Sequence, residues 1–107
     1  MDILPSDIIM ETFISELRTS FGSALREVWL FGSRARGDAQ DWSDFDVLVV
    51  AAGDLTDLKQ KVRDAEWVCM ERYNALVSAI VYTEAQWKDR KQTPLGWNIQ
   101  REGKLVA

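Results

Sequence analysis

The sequence predicts a single α/β (α+β) domain in which a small mixed β-sheet is flanked by helices. The 107 residues are enough for one hydrophobic core. Apolar residues make up 47% of the chain and charged residues 28%, as in ordinary globular domains. Segments with helical periodicity alternate with short apolar runs rich in β-branched residues. We therefore expect residues 1–107 to form one domain.

The first half of the chain is predicted to contain one helix and two strands. Ser6 is a suitable N-cap for a helix that ends at Gly22, and apolar residues at three- and four-residue spacing give that helix one buried face. The segment REVWLF, residues 26–31, is expected to be a strand that stops at Gly32. The run FDVLVVA, residues 45–51, is almost wholly apolar, which indicates a strand in the middle of the sheet.

The second half is predicted to contain a long helix, a third strand and two shorter helices. Asp54 or Thr56 can cap the long helix. The run ALVSAIVYT, residues 75–83, is rich in β-branched residues, which predicts a strand. Thr83 can cap the next helix, and Pro94 suits the first position of the last one. The long helix carries an apolar stripe formed by Leu58, Val62, Ala65 and Cys69.

The composition excludes several classes of function. With 13 basic and 17 acidic residues, the net charge of −4 argues against direct nucleic-acid binding, which requires a basic surface. The sequence contains no histidine, which removes His-dependent nucleophile pairs and most zinc sites. Any catalysis must therefore depend on carboxylates, hydroxyls, lysines, arginines and metal ions.

The chain is expected to be cytoplasmic and to have no contact with a membrane. Its single cysteine, Cys69, cannot form an internal disulfide and is predicted to be a buried apolar residue. The N-terminal segment carries acidic residues where a signal peptide would carry basic ones. No apolar run approaches the roughly 18 residues that a membrane span requires.

The segment LFGSRARGDAQDWSDFDVLVV, residues 30–50, contains the candidate site. If the strands on either side pair antiparallel, Gly32 and Ser33 lie beside Asp44 and Asp46 at one edge of the sheet. The two aspartates are two residues apart on an extended chain, so both side chains project from the same face. We therefore expect the glycine turn and the two carboxylates to converge.

These residue types together suit a nucleoside triphosphate and magnesium. Adjacent carboxylates repel each other unless a proton, an arginine or a divalent cation neutralises them. In proteins Mg²⁺ typically binds one or two carboxylates together with substrate phosphates. Gly32 lets the backbone approach a phosphate closely, and Ser33 can begin a short helix whose free N–H groups favour an anion. Arg34 and Arg36 add positive charge nearby.

A simpler interpretation of the same segment is a solvated acidic loop. Arg36 can pair with Asp38 or Asp41 on the surface, and neither a Gly-Ser pair nor two spaced aspartates is specific alone. Trp42 is expected to pack against protein, with stacking on a nucleotide base as the less favoured alternative. The nucleotide site is favoured because Gly-Ser, ten residues, Asp-Phe-Asp and an apolar strand follow one another in order.

This order of residues resembles the signature of the DNA polymerase beta-type nucleotidyltransferase superfamily. The longer string GSRARGDAQDWSDFDVLV resembles its smallest members, the minimal nucleotidyltransferases (MNT). It also resembles the MntA-like antitoxins of HEPN/MNT toxin–antitoxin pairs. The opening helix, the YTEAQW segment and the closing TPLGWNIQREGKL also look like that group, so the resemblance covers nearly the whole chain.

The resemblance implies a nucleotidyltransferase fold and a role for each residue of the motif. Asp44 and Asp46 are expected to be catalytic and to bind Mg²⁺, with two metal ions possible. Gly32, Ser33 and Arg36 are expected to bind the nucleotide. The implied reaction is attack by an acceptor hydroxyl on the α-phosphate of ATP, with release of pyrophosphate. The implied acceptor is a tyrosine of a HEPN-family toxin. Transfer of AMP to that tyrosine would inhibit the toxin's ribonuclease activity.

One position departs from the family pattern. Active members usually carry a third acidic residue on the next strand, and by register that position is Ser78 here. A hydroxyl is a poor metal ligand and is not a base at neutral pH. The alternative function is therefore a binding module with little or no catalysis that neutralises its partner by contact. Transfer to a small molecule such as an aminoglycoside is less favoured, because such enzymes usually have an added C-terminal domain.

Overall fold

The computed structural model describes residues 5–40 and 42–107. Four strands form one sheet in the order β3-β2-β1-β4, with helices on both of its faces. This α+β arrangement with a mixed sheet confirms the predicted fold class. The elements are α1 (Pro5–Phe21), β1 (Leu25–Phe31), α2 (Ser33–Arg36), β2 (Phe45–Ala51), α3 (Leu55–Tyr73), β3 (Val77–Thr83), α4 (Glu84–Arg90), α5 (Pro94–Glu102) and β4 (Lys104–Leu105).

The sheet is mixed because two of its three strand pairs are antiparallel and one is parallel. β1 pairs antiparallel with β2 and with β4, whereas β2 and β3 run parallel and are joined by α3. A parallel pair needs a long crossover connection, which the 19 residues of α3 supply. β2 has a neighbour on each side, so its predicted central place in the sheet is confirmed.

Alternate side chains of β2 form the centres of two cores on opposite faces of the sheet. Leu48 and Val50 pack with Trp87 of α4 and Ile99 of α5. The other face packs against α1 and α3, including the predicted stripe of α3. Its β2 members are Phe45, Val47, Val49 and Ala51. Burial of one strand on both faces explains why its sequence is almost wholly apolar.

Three helix starts agree with the predicted caps. The Asp54 carboxylate accepts a hydrogen bond from the N–H of Asp57 at 3.1 Å, so Asp54 rather than Thr56 caps α3. At α4 the Thr83 hydroxyl accepts from the N–H of Gln86 at 3.2 Å, and the Gln86 side chain accepts from the N–H of Thr83 at 3.0 Å. Thr93 caps α5 by accepting from the N–H of Gly96.

The prediction that Ser6 caps the first helix is wrong. α1 is described from Pro5 onward, so Ser6 lies inside its first turn. A proline is well tolerated there because a first-turn N–H has no partner within the helix. The predicted end is correct, since the helix stops at Phe21 and Gly22 follows with a positive φ of 56°.

Strand β4 was not predicted. Its two residues pair with Trp29 and Leu30 of β1, and the N–H of Val106 donates to the carbonyl of Val28 at 2.8 Å. Two residues are too few to show the alternation by which a strand is recognised in a sequence.

Cys69 is fully buried, as predicted, and burial raises the pKa of its thiol to about 11. A thiol in this state stays protonated at neutral pH and is a poor nucleophile. None of the helices in the described part of the chain is long and apolar enough to cross a membrane.

We expect Gly96→Ala to destabilise the fold. A Cβ at Gly96 would collide with the carbonyl oxygen of Arg90 and lie 2.8 Å from the Cα of Lys91, so α5 would have to move away from the end of α4. Overpacking of this kind costs about 1–3 kcal/mol, measured by urea denaturation. The matched control is Asn98→Ala on the exposed face of α5, which should change stability by less than about 0.5 kcal/mol. Equal stability of the two variants would contradict the predicted collision.

Candidate nucleotide-binding site

The glycine turn and the two aspartates meet where β1 ends and β2 begins. Phe31, the last residue of β1, lies opposite Asp46 in the antiparallel pair. Gly32 follows with φ 72° and ψ −157°, a conformation that residues with a side chain rarely adopt. A Cβ at Gly32 would overlap the Asp46 carboxylate and lie 3.1 Å from its Cγ. The predicted convergence is therefore confirmed.

A short helix follows the glycine, as the sequence suggested. The N–H groups of Ala35 and Arg36 donate to the carbonyl of Gly32, both at 3.1 Å. Gly37 ends this single turn with φ 85°. Ser33 is therefore the first residue of α2, with its side chain partly exposed next to the aspartates' end of the sheet.

The two aspartates influence each other electrostatically. Asp46 is partly buried at the start of β2, and Asp44 is exposed just before the strand. Burial raises the pKa of the Asp46 carboxyl, the negative charge of Asp44 raises it further, and Arg36 opposes the shift. A divalent cation between the two carboxylates would remove the repulsion, so this pair fits the ligand set of a hard metal ion.

Ser78, the residue that the resemblance assigns to the third carboxylate position, lies on the strand next to the aspartates. Ser78 lies directly opposite Asp46 in the parallel pair of β2 and β3, so the two side chains share one face, and Ser78 is exposed. Glu84 lies beyond the far end of β3, where it pairs with Arg26 at 2.6 Å. Within residues 5–40 and 42–107 no group of three or more acidic or Cys side chains could hold a metal ion.

The two arginines of α2 have different surroundings. The guanidinium of Arg34 donates to the carbonyl of Ser43 at 2.8 Å and lies 4.3 Å from the centre of the Phe45 ring. Arg34 therefore stabilises the loop before β2, a role that the sequence did not indicate. Arg36 pairs with Asp38 at 3.3 Å, which is one of the surface pairs that the simpler interpretation anticipated. Asp41, the other predicted partner, lies outside the described residues.

Glu102, at the end of α5, was missed by the sequence analysis. Its carboxylate lies 3.4 Å from the guanidinium of Arg36, the same arginine that lowers the pKa of Asp46. This ion pair places the C-terminal end of α5 next to the candidate site. The two residues are 66 positions apart, so no spacing rule could have brought them together.

Trp42 does not pack into the protein, contrary to the expectation for it. Its side chain is 81% exposed. With Asp44, Tyr73 and Leu76 it lines an open groove of about 540 Å³ beside the aspartates. Trp67 and Trp97 are also more than half exposed, whereas Trp87 is buried in the core.

The sequence pattern described as "Nucleotidyltransferase domain" matches residues 10–96 of the chain. Two proteins of Methanocaldococcus jannaschii, each named "Putative protein adenylyltransferase", are similar in sequence. The first is 27% identical over 100 residues, which is 91% of this chain and 93% of the relative. The second is 34% identical over 101 residues, which is 92% of this chain and 69% of the relative.

Solved structures share the fold. A "putative nucleotidyltransferase" from Sulfolobus solfataricus superposes with a TM-score of 0.62 and 30% identity over 92% of this chain and 76% of that one. A toxin–antitoxin with AMP-PNP (22% identity) and a mutant of the toxin–antitoxin MntA–HpeT (20% identity) each superpose with a TM-score of 0.67 over 91% of this chain and 71% of theirs. At 20–22% identity, the likeness to the two toxin–antitoxin structures concerns the fold alone. Because the sequence match covers residues 10–96, the chain belongs to the nucleotidyltransferase domain family.

Proposed function

We propose that this protein is a Mg²⁺-dependent nucleotidyltransferase that transfers AMP from ATP to a hydroxyl group of a partner protein. The observation that carries the proposal is the contact between the Gly32 turn and the Asp46 carboxylate. It puts a backbone segment without a side chain beside a pair of carboxylates, which is the arrangement that a metal-bound triphosphate requires.

Asp44 and Asp46 would hold the metal, and Gly32, Ser33 and Arg36 would bind the nucleotide. Members of the family generally depend on a metal ion and use a nucleoside triphosphate. When bound, Mg²⁺ would offset the negative charge that develops on the phosphate oxygens. The absence of a side chain at Gly32 leaves space for the triphosphate. The Ser33 hydroxyl and the guanidinium of Arg36 would donate hydrogen bonds to its phosphate oxygens.

The reaction forms a bond between the acceptor oxygen and the α-phosphorus of ATP. The bond between that phosphorus and the oxygen bridging the α- and β-phosphates breaks, and pyrophosphate leaves. The hydroxyl proton must go to a base. Ser78 cannot accept it at neutral pH, so we assign this role to the carboxylates of Asp44 and Asp46. This limits the rate, since a carboxylate engaged with a metal is a weak base.

The proposed acceptor is a tyrosine of a HEPN-family toxin, which would make this chain the antitoxin of the pair. The names of the two Methanocaldococcus jannaschii relatives support a protein acceptor. The fold shared with MntA–HpeT supports a toxin as the partner, and the AMP-PNP complex of a neighbour supports ATP as the donor.

A binding module that neutralises its partner by contact is the second candidate. The observation that favours it is Ser78, which lies opposite Asp46 at the strand position that the resemblance assigns to a third carboxylate. Such a module could still bind ATP and Mg²⁺ through Asp44 and Asp46. The two candidates therefore differ only in whether AMP reaches the partner.

The first prediction concerns the metal site. Asp44→Asn combined with Asp46→Asn should weaken Mg²⁺-dependent ATP binding at least about tenfold, or about 1.4 kcal/mol, in isothermal titration calorimetry. Both metal ligands lose their charge, while far-UV circular dichroism should stay unchanged. Asp89→Asn, an exposed substitution on α4, is the control and should bind as the wild type does. Full Mg²⁺-dependent affinity in the double variant would show that the metal binds elsewhere.

The second prediction concerns stability and pH. The folded protein raises the pKa of Asp46, so its ionised form destabilises the native state. Asp46→Asn should therefore raise the Tm at pH 7 in the absence of metal. This gain should shrink as the pH falls through the titration range of carboxyl groups, because the wild-type Asp46 then becomes neutral as well. A Tm difference that is independent of pH would contradict this origin, and Asp89→Asn serves as the reference.

The third prediction concerns the glycine turn. Gly32→Ala should weaken ATP binding, because the new methyl group displaces the Asp46 carboxylate. Gly37→Ala is the matched control, since Gly37 also has a positive φ (85°) but has no other heavy atom within 4 Å of an added Cβ. Gly37→Ala should lose about 1–2 kcal/mol of stability from left-handed backbone strain. Gly32→Ala should lose more, because its ψ of −157° lies in a region that essentially only glycine adopts and its methyl group meets Asp46. Only Gly32→Ala should lose nucleotide affinity. Equal affinities would place the phosphates away from this turn.

The fourth prediction separates the enzyme from the binding module. The tagged chain is purified from its own host, and intact mass spectrometry is applied to the protein that co-purifies with it. An enzyme adds the mass of AMP to that partner, and Asp44→Asn abolishes the addition. Ser78→Asp should speed the transfer by supplying a third carboxylate, whereas Ser78→Asn, of the same size, should not. An unmodified partner that is nevertheless inhibited would reject the enzyme in favour of the binding module.

A further inference from the structure

The sheet ends at β3 in a long, apolar edge. β3 has seven residues, VSAIVYT, and its neighbour in the sheet is β2 on one side only. The opposite edge, β4, has two residues. An edge strand exposes unpaired N–H and C=O groups that can pair with a further strand, and proteins usually shorten or charge such edges. β4 follows that rule, and β3 does not.

The hydrogen-bond pattern identifies the groups that point outward from β3. The N–H of Phe45 donates to the carbonyl of Leu76 at 2.9 Å. Because a parallel ladder uses alternate residues, the backbone groups of Val77, Ala79, Val81 and Thr83 face away from β2. The N–H of Thr83 is already bonded to the Gln86 side chain. The outward groups of Val77, Ala79 and Val81 have no partner in the part of the chain that the structure describes.

A groove of about 380 Å³ runs beside this edge, between β3 and α3. Val62, Ala79 and Val81 contribute its apolar surface, and the α3 side contributes charges of both signs. Arg63 and Glu66 lie three positions apart on this side, so they are neighbours on the helix surface. Trp67, the next residue of α3, is 61% exposed.

We propose that β3 pairs antiparallel with β3 of a second copy of this chain, which makes a dimer with one continuous sheet. With the two-fold axis at Ala79, Val77 lies opposite Val81 of the partner subunit and Ala79 lies opposite its own copy. This register uses all three outward residues and forms on the order of six backbone hydrogen bonds. The inference goes beyond the proposed function and does not rest on it.

The same axis brings the two α3 helices side by side. α3 returns from the end of β2 to the start of β3, so it runs opposite to β3, and its Arg63 and Glu66 line the same groove as Ala79. The two-fold rotation then puts Arg63 opposite Glu66 of the partner subunit, and this pair occurs twice. In a two-fold interface the same surface of each subunit faces its copy, so that surface must be complementary to itself. A positive and a negative side chain on opposite sides of the axis meet this condition, because each then faces the opposite charge of the partner.

The charge pattern favours a second copy over an unrelated extended peptide. The chain as a whole carries −4, so two copies repel unless the contact is locally compensated. The groove is lined by Lys59, Arg63 and Glu66, which make it slightly positive rather than negative. A foreign peptide could pair with the backbone of β3, but its affinity would not require Arg63 and Glu66 to match each other.

The experiment measures the dimer dissociation constant by sedimentation equilibrium. Arg63→Glu leaves an acidic groove and Glu66→Arg a basic one, so each variant alone should dimerise at least about tenfold more weakly than the wild type. Mixed in equal amounts, the two variants should form a one-to-one heterodimer with the wild-type affinity. Arg18→Glu, the same substitution on the far side of α1, is the control and should dimerise normally.

A backbone variant tests the strand pairing separately. Ala79→Pro removes the N–H at the axis, and it should weaken the dimer while circular dichroism shows a folded chain. A wild-type protein that stays monomeric throughout the concentration range would overturn the proposal. A dimer that tolerates Arg63→Glu, Glu66→Arg and Ala79→Pro uses another surface and would overturn it as well. Restoration of the dimer on mixing the two charge variants would support it.

Discussion

The antiparallel pairing of β1 with β2 is the interaction on which the candidate site depends. Its register puts Phe31 opposite Asp46, and Gly32 then has to turn away from the sheet directly beside the carboxylate. A shift of the register by one residue would move Asp46 to the other face of the sheet. Burial of β2 on both faces prevents such a shift, because it would also expose one set of apolar side chains and clash with the other. The position of the two aspartates is thus held by the core.

The edge of the sheet at the candidate site concentrates negative charge. Asp46 is partly desolvated and lies near Asp44, so the site without a cation is electrostatically unfavourable. Arg36 compensates for part of that charge, and Glu102 and Asp38 in turn bind Arg36. Ser78, opposite Asp46 on β3, adds no further negative charge to this edge.

The same strand, β3, connects this site with the proposed dimer. One side of the strand bonds to β2 and presents Ser78 opposite Asp46, and the other side offers the outward groups of Val77, Ala79 and Val81. In the proposed dimer the two Ser78 residues lie close to the two-fold axis. The candidate sites of the two subunits would therefore open on the same face of one continuous sheet, a few strand spacings apart.

The sequence by itself determined where several helices and strands begin and which residues make up the candidate site. The caps at Asp54 and Thr83, Pro94 at the start of the last helix and the apolar run of β2 are local signals, because the physical cause of each lies within a few residues. The spacing from Gly32 to Asp46 indicated the site because the strands on either side of that segment pair with each other. The tertiary structure decided what depends on distant residues: the pairing of Glu102 with Arg36, the addition of β4 to the sheet, and the exposure of Trp42. None of these follows from spacing along the chain, because side-chain contacts and edge pairing are fixed only when the helices pack on the sheet.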